Sequence, residues 1–160
     1  MKTGWREAFL FQAASDYGIC KFLSKERKPD CHWLHCLQMT TEKLAKSALC
    51  NPHQLECPRK THKRFVKFMR TVMNDPRIQR RYGLDKKPFC EMVRCLLPIA
   101  QEIENLSPDL STGPNPEYPW KAGSDVYVPV NYRFPEITVH RADNFNRLLK
   151  FLDVCFEVYV

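Results

Sequence analysis

Apolar residues recur at three- and four-residue steps over most of this chain, the period of amphipathic helices. That pattern yields five helical segments. The first runs from about Trp5 to Leu23, with Trp5, Phe9, Ala13, Cys20 and Leu23 on one stripe. KERKPD, residues 25–30, is a loop, and Asp30 is placed to cap the next helix. The second helix runs from Cys31 to about Cys50, with Leu34, Leu37, Thr41, Leu44 and Ala48 spaced as a bundle seam. Two prolines in NPHQLECPRK then break the pattern. Thr61 can cap a third helix, THKRFVKFMRTVMND, with Phe65, Phe68, Met69 and Val72 inward.

DPRIQRRYGLDKKP reads as a basic connector. A fourth helix spans about Phe89 to Leu106, with Met92, Val93, Leu96, Ala100 and Ile103 inward and a kink expected at Pro98. Residues 107–136 hold six prolines, a density that no regular helix survives. A loop of that length inside a compact domain is usually functional or mobile. The last helix runs from about His140 to Tyr159, with Phe145, Leu148, Leu152, Cys155 and Tyr159 inward. The expected fold is all-α: a single domain over residues 1–160, an antiparallel bundle of about five helices with a long proline-rich loop before the last.

Composition agrees with this. At 160 residues, 44% hydrophobic and 27% charged, the chain has the make-up of one ordinary globular domain, and its 5 glycines argue against a turn-rich β fold. The net charge of +7 points to an anionic partner, with nucleic acid first, against the plainer alternative of a solvated basic surface. No apolar stretch reaches the length of a bilayer span, and the N-terminus is interrupted by Arg6, Glu7, Gln12 and Asp16 where a signal sequence would be apolar. A cytoplasmic protein without membrane contact is expected, with its eight cysteines reduced and mostly buried.

Three constellations invite chemistry. Cys31, His32, His35 and Cys36 crowd one stretch of the second helix, and Cys50, His53 and Cys57 lie just past it. Structural zinc needs four converging ligands. No CxxC pair is present, so these residues read as packing and surface positions, and neither metal nor cofactor is expected. A zinc-stabilised module stays the third-ranked alternative, and no local signature supports a Cys–His nucleophile. Second, nine Lys and Arg lie between Thr61 and Lys87, interleaved with aromatics. Lys63, Arg64, Lys67 and Arg70 would track a phosphate backbone, unless they are simply a solvated helix face. Third, Arg133 and His140 flank the start of the last helix. His140 could exchange protons with a ribose 2′-hydroxyl or the leaving oxygen while Arg133 stabilises developing charge.

The stretch HWLHCLQMTTEKLAKSAL resembles the second helix of HEPN domains, helical domains of prokaryotic toxin–antitoxin and defence systems. The matching residues are His35, Gln38, Met39, Glu42, Lys43 and Lys46. Ala13-Ala14-Ser15-Asp16-Tyr17 is similar to their first helix, Lys60-Thr61-His62 to the opening of their third, and Val130-Asn131-Tyr132-Arg133-Phe134-Pro135 to the Arg-Tyr-Pro step before the final helix. The four segments occur in the family's order and cover nearly the whole chain.

The resemblance implies a helical bundle, usually dimeric. Many members are metal-independent endoribonucleases that use an arginine and a histidine with four to six residues between them; Arg133 and His140, with six between, fit at the upper limit. In active members the residue after the arginine is usually polar, whereas here it is Phe134, and Pro135 lies inside the motif. Members lacking the pair act as binding or assembly modules, often beside a small nucleotidyltransferase. The leading expectation is therefore an RNA-binding protein, in its enzymatic form a ribonuclease with Arg133 and His140 duplicated across a homodimer cleft. The alternative is a non-catalytic module that binds a nucleotide or a partner protein through the 107–136 segment. Glu42 and Lys43 are expected in helix-surface or interhelix salt bridges.

Overall fold

The structure is a computed structural model. It describes residues 4–50, 64–106, 113–138 and 142–160. Helix α1 (Trp5–Lys25) and helix α2 (Asp30–Leu49) form an antiparallel hairpin, the most extensive helix pairing among the described residues. Its corner is built by the backbone. Lys28 N–H donates to the Leu23 carbonyl at 3.0 Å and Arg27 N–H to that of Ser24 at 3.1 Å. This is the Schellman arrangement, with Arg27 at φ 52° in the left-handed place that glycine usually takes. α2 begins at Asp30 itself rather than being capped by it; the Asp30 carboxylate accepts from the Trp33 indole at 3.1 Å.

α1 buries Leu10, Ala13, Tyr17 and Cys20. The stripe expected from spacing is turned partly off this face, because α1 is apolar on its outer side too. The Tyr17 hydroxyl donates to the Leu149 carbonyl at 2.9 Å, and its ring stacks on Phe156, tying α1 to the last helix.

α3 (Phe65–Val72) buries Phe65, Phe68, Met69 and Val72 as its spacing predicts; the proposed Thr61 cap lies outside the described residues. Buried Glu104 accepts a hydrogen bond from Val66 N–H at 2.8 Å, placing a carboxylate at the α3 N-terminus, where orphan amides and the helix dipole favour it.

The basic connector is largely a helix, α4 (Pro76–Tyr82). Its punctuation was in the sequence. Asp75 caps it, accepting from Arg77 N–H at 2.9 Å; Pro76 starts it; Gly83, at φ 65°, ends it. Only Ile78 is buried along it, so its apolar periodicity is too thin to detect.

α5 (Lys86–Asn105) continues through Pro98, which lies on its exposed side. The last helix, α7 (Ala142–Tyr159), buries Leu148, Phe151, Leu152, Val154 and Cys155. Core side chains from α1, α2, α3, α5 and α7 converge in one cluster.

The described part of the proline-rich segment is built, not open. Strands β1 (Trp120–Ala122) and β2 (Asp125–Tyr127) pair antiparallel, Trp120 opposite Tyr127. Gly123 takes φ 61° at the first position of the two-residue turn, as a II′ turn requires. A 3₁₀ turn (Pro129–Asn131) and a four-residue helix, α6 (Pro135–Thr138), come next. Trp120 stacks on Tyr127 and meets Tyr132 edge-on at 4.9 Å; Tyr132 in turn meets Phe134 at 5.0 Å. Phe134 is 0% exposed at φ 45°, so a bulky residue holds a left-handed conformation to bury its ring.

Among the described residues no helix is long and apolar enough to cross a membrane.

Candidate functional site

A groove of about 570 Å³ lies between α2 and the 116–130 segment. Cys31, His32, His35 and Cys36 form one wall, Leu23 of α1 closes an end, and Pro116, Glu117, Pro119 and Val128–Val130 form the other wall. The volume is that of a typical small-ligand pocket.

Local chemistry fixes both walls. Buried Asn115 accepts from Glu117 N–H at 2.7 Å and from Tyr118 N–H at 3.1 Å. This Asx turn presents Pro116, Glu117 and Pro119. On the far side the 3₁₀ turn packs against α2 and sets Pro129 and Val130. On α2, positions 32, 35 and 36 share a side at helical spacing and Cys31 lies one turn before His35, so the CHWLHC stretch lines the groove with both imidazoles and both cysteines.

Most of the lining is apolar, and one polar atom in it stands out. The Nδ1 of half-buried His35 is enclosed and has no hydrogen-bond partner among the described residues. One turn on, Gln38 is buried, and among the described residues neither side-chain amide atom has a partner. Orphaned buried polar groups cost about 1–3 kcal/mol each, so native folds seldom keep them without a use.

The thiols are not poised for chemistry. Burial raises the Cys31 and Cys36 pKa values, with the Asp16 charge adding to Cys36, and burial pushes Cys20 up to about 12. All three stay protonated near neutral pH, so they are poor nucleophiles. Among the described residues no three His, Cys, Asp or Glu side chains are grouped to hold a metal ion.

The residues singled out in the sequence fall in several places. Arg133 is exposed, three residues beyond Val130 of the groove wall, hence within about 10 Å of it along the chain. His140 lies outside the described residues, as does Lys63. Arg64 is the half-buried residue preceding α3, while Lys67 and Arg70 project from its exposed side, away from the phenylalanines. Among the described residues none of these three cations has an acid partner.

The polar residues of the EKLAK stretch are engaged. Lys43 reaches Asp16 of α1 at 2.5 Å, the expected interhelix bridge. Glu42 and Lys46 form an ion pair that is buried rather than on the surface, with the Lys46 ammonium also over the Phe9 ring at 5.7 Å.

The groove itself was not readable from sequence. Its walls come from segments some eighty residues apart, and only the cluster of CHWLHC with the Asn115-Pro116-Glu117 turn hinted at either.

Compared with protein-family models, curated proteins and solved structures, this chain matches none. Its function must therefore be sought in the groove and in the residues around it.

Proposed function

We propose that this chain is a HEPN-like RNA-binding protein whose groove receives one unstacked base. The observation that carries the reading is the apolar groove lined by His32 and His35, the latter with an enclosed, unpartnered Nδ1. Single-stranded RNA is recognised by splaying bases out, packing their faces on flat or apolar side chains and hydrogen-bonding their edges. Proline and valine walls suit the faces, and an imidazole, donor at one nitrogen and acceptor at the other, suits an edge. Arg133 would take the adjoining phosphate, and Lys67 and Arg70 a further stretch of backbone.

In the enzymatic form of this proposal, Arg133 stabilises charge on the phosphate and His140 moves the proton of the 2′-hydroxyl. No metal is needed for that chemistry. The two sites would be duplicated in a homodimer.

The test is fluorescence anisotropy with short single-stranded RNA at fixed salt. His35→Ala and Val130→Asp should each weaken binding about tenfold, the loss of one well-made base contact. Lys67→Glu should weaken all sequences alike and flatten the salt dependence. Unchanged affinity in both groove variants sinks the base-pocket reading. Cleavage by wild type but not by His140→Ala, in excess chelator, supports the enzymatic form; cleavage by both proteins removes His140 from it.

An exposed apolar rim favours a second reading. Tyr118, Val126, Val128 and Val130 are large apolar side chains left exposed around the hairpin. They suit a partner protein, such as a nucleotidyltransferase, for a non-catalytic module.

A further inference from the structure

A second cavity, about 240 Å³, opens between α1, α2 and α7. Cys20, Ser24 and Lys25 of α1, Trp33 of α2, and Phe145 and Leu149 of α7 line it. Trp33 and Phe145, both half-buried, meet edge to face at 5.4 Å and 67°, so two ring systems form an aromatic corner. The Trp33 indole is fixed in place by its hydrogen bond to Asp30. The space is smaller than a drug-sized pocket and suits one planar ring.

What separates this cavity from the groove is the second observation. Leu23 lines the groove, whereas Cys20 and Ser24 line the second cavity; on α2, Cys31 and Trp33 divide in the same way. The end of α1 is therefore the ridge between the two, about one helix diameter, ~10 Å, across. Lys25, Arg27 and Lys28 stand on that ridge and on the corner after it, all exposed, with no acid partner among the described residues. Lys21, by contrast, is engaged by Asp153 at 3.2 Å and lies over the Tyr17 ring. Arg27 also holds the left-handed φ of 52° at a position where the backbone alone favours glycine. A side chain kept there against that preference suggests a use for its charge.

We infer that the Trp33–Phe145 cavity is a second base subsite, and that the α1–α2 corner carries the phosphates of a single RNA strand from the groove to it. This rests on the base-pocket reading of the groove. Each part of the strand meets matching chemistry. A base face stacks in the aromatic corner, an interaction that tolerates any sequence because every base has a π-face. The Ser24 hydroxyl, which can donate or accept, stands beside the base edge. Lys25, Arg27 and Lys28 neutralise the phosphates between the two bases. The groove would then read one base by its edge, and the second cavity would hold another without reading it. A lone nucleotide can fill one cavity only, so affinity must depend on strand length.

Anisotropy competition on the full chain, with single-stranded RNA of two and of six nucleotides, tests it. Wild type should bind the six-mer at least tenfold more tightly than the two-mer. Trp33→Leu and Phe145→Leu should each weaken the six-mer about tenfold, the loss of one stacked base, and leave the two-mer unchanged. Arg27→Gly should weaken the six-mer severalfold and lower its salt slope by about 0.7. The same variant should melt at a higher temperature than wild type, an opposition that a merely structural arginine would not show. His35→Ala should weaken both lengths. A six-mer bound no more tightly than the two-mer overturns the inference, as do Phe145→Leu and Arg27→Gly variants that bind the six-mer like wild type. If His35→Ala still weakens binding in that case, the groove reading stands and the second subsite alone falls. A chain that binds neither RNA overturns both.

Discussion

The two halves of α2 differ in depth, the C-terminal half being the more deeply buried, and they treat their enclosed polar groups in opposite ways. From Thr40 to Ser47 nearly every side chain is buried, and the polar ones are engaged: Thr40 donates to the Cys36 carbonyl, Thr41 to that of Gln38, Lys43 reaches Asp16 and Lys46 pairs with Glu42. From Cys31 to Met39 the helix carries an enclosed imidazole nitrogen and a buried side-chain amide with no hydrogen-bond partner among the described residues. The C-terminal half is a framework in which polarity is consumed internally. The N-terminal half leaves hydrogen-bonding capacity unspent beside a groove. Satisfied and unsatisfied burial on one helix separates scaffold from site more sharply than residue type does.

Breaking the satisfied half should produce the largest effect. Glu42→Leu leaves the Lys46 ammonium buried without its carboxylate. Removing one partner of a buried pair typically costs about 3–5 kcal/mol, because the remaining charge is stranded. Adding Lys46→Met should recover most of the loss, since an apolar pair of similar volume carries no stranded charge. Urea unfolding of wild type, the single variant and the double variant checks this. A single variant as stable as wild type would mean that the half is not held by its ion pair.

A second satisfied cluster sharpens the contrast through pH. Asp75 holds the Arg77 guanidinium through two hydrogen bonds, 2.8 and 3.1 Å, and also accepts from the Tyr159 hydroxyl at 2.9 Å. The Arg77 hydrogen bonds are the main reason its carboxyl is held down at about 2; burial opposes them. A pKa depressed in the folded state contributes stability that is complete above about pH 4 and is lost as pH falls toward 2. A shift of that size corresponds to roughly 2 kcal/mol. Asp75→Asn should therefore unfold more easily than wild type at pH 7, and the difference should shrink between pH 4 and pH 2. A difference that stays constant through that window would remove Asp75 as its source.

The framework half was legible and the site half was not, for one physical reason. Periodicity reports which positions face a core, and it located α1, α2, α5 and α7 with Leu34, Leu37, Leu44, Leu96 and Leu148 inward. It could not say whether a buried polar group finds a partner, because partners come from elsewhere in the chain: Asp16 for Lys43, Glu104 for the Val66 amide. It also failed where few side chains are buried. α4 has Ile78 alone, and only its Asp75-Pro76 and Gly83 ends betrayed it. The aromatic hairpin hid behind its prolines: Trp120, Tyr127, Tyr132 and Phe134 pack together at irregular spacings that periodicity does not register. Of the residues proposed for chemistry, Arg133 is near the groove along the chain, while His140 and Lys63 lie outside the described residues. Cys31, His32, His35 and Cys36 were legible as a cluster but not as a wall, since the opposite wall begins at Pro116.

The smallest expected effect is the most discriminating. Gln38→Met replaces an unpartnered amide with an apolar chain of similar length in a position only 2% exposed. If the unsatisfied half of α2 were ordinary core, removing the orphan would relieve its desolvation and stabilise the fold by about 1 kcal/mol, with nothing lost elsewhere. If that polarity serves the groove, the same substitution should again raise stability by about 1 kcal/mol but weaken RNA binding in the anisotropy assay. Thermal unfolding and binding must therefore be measured on one preparation. A gain in stability together with a loss of affinity marks the amide as held for function. A gain with unchanged affinity confines the site to His35 and the proline wall. A loss of stability would show that Gln38 has partners after all, and would erase the distinction between the two halves of the helix.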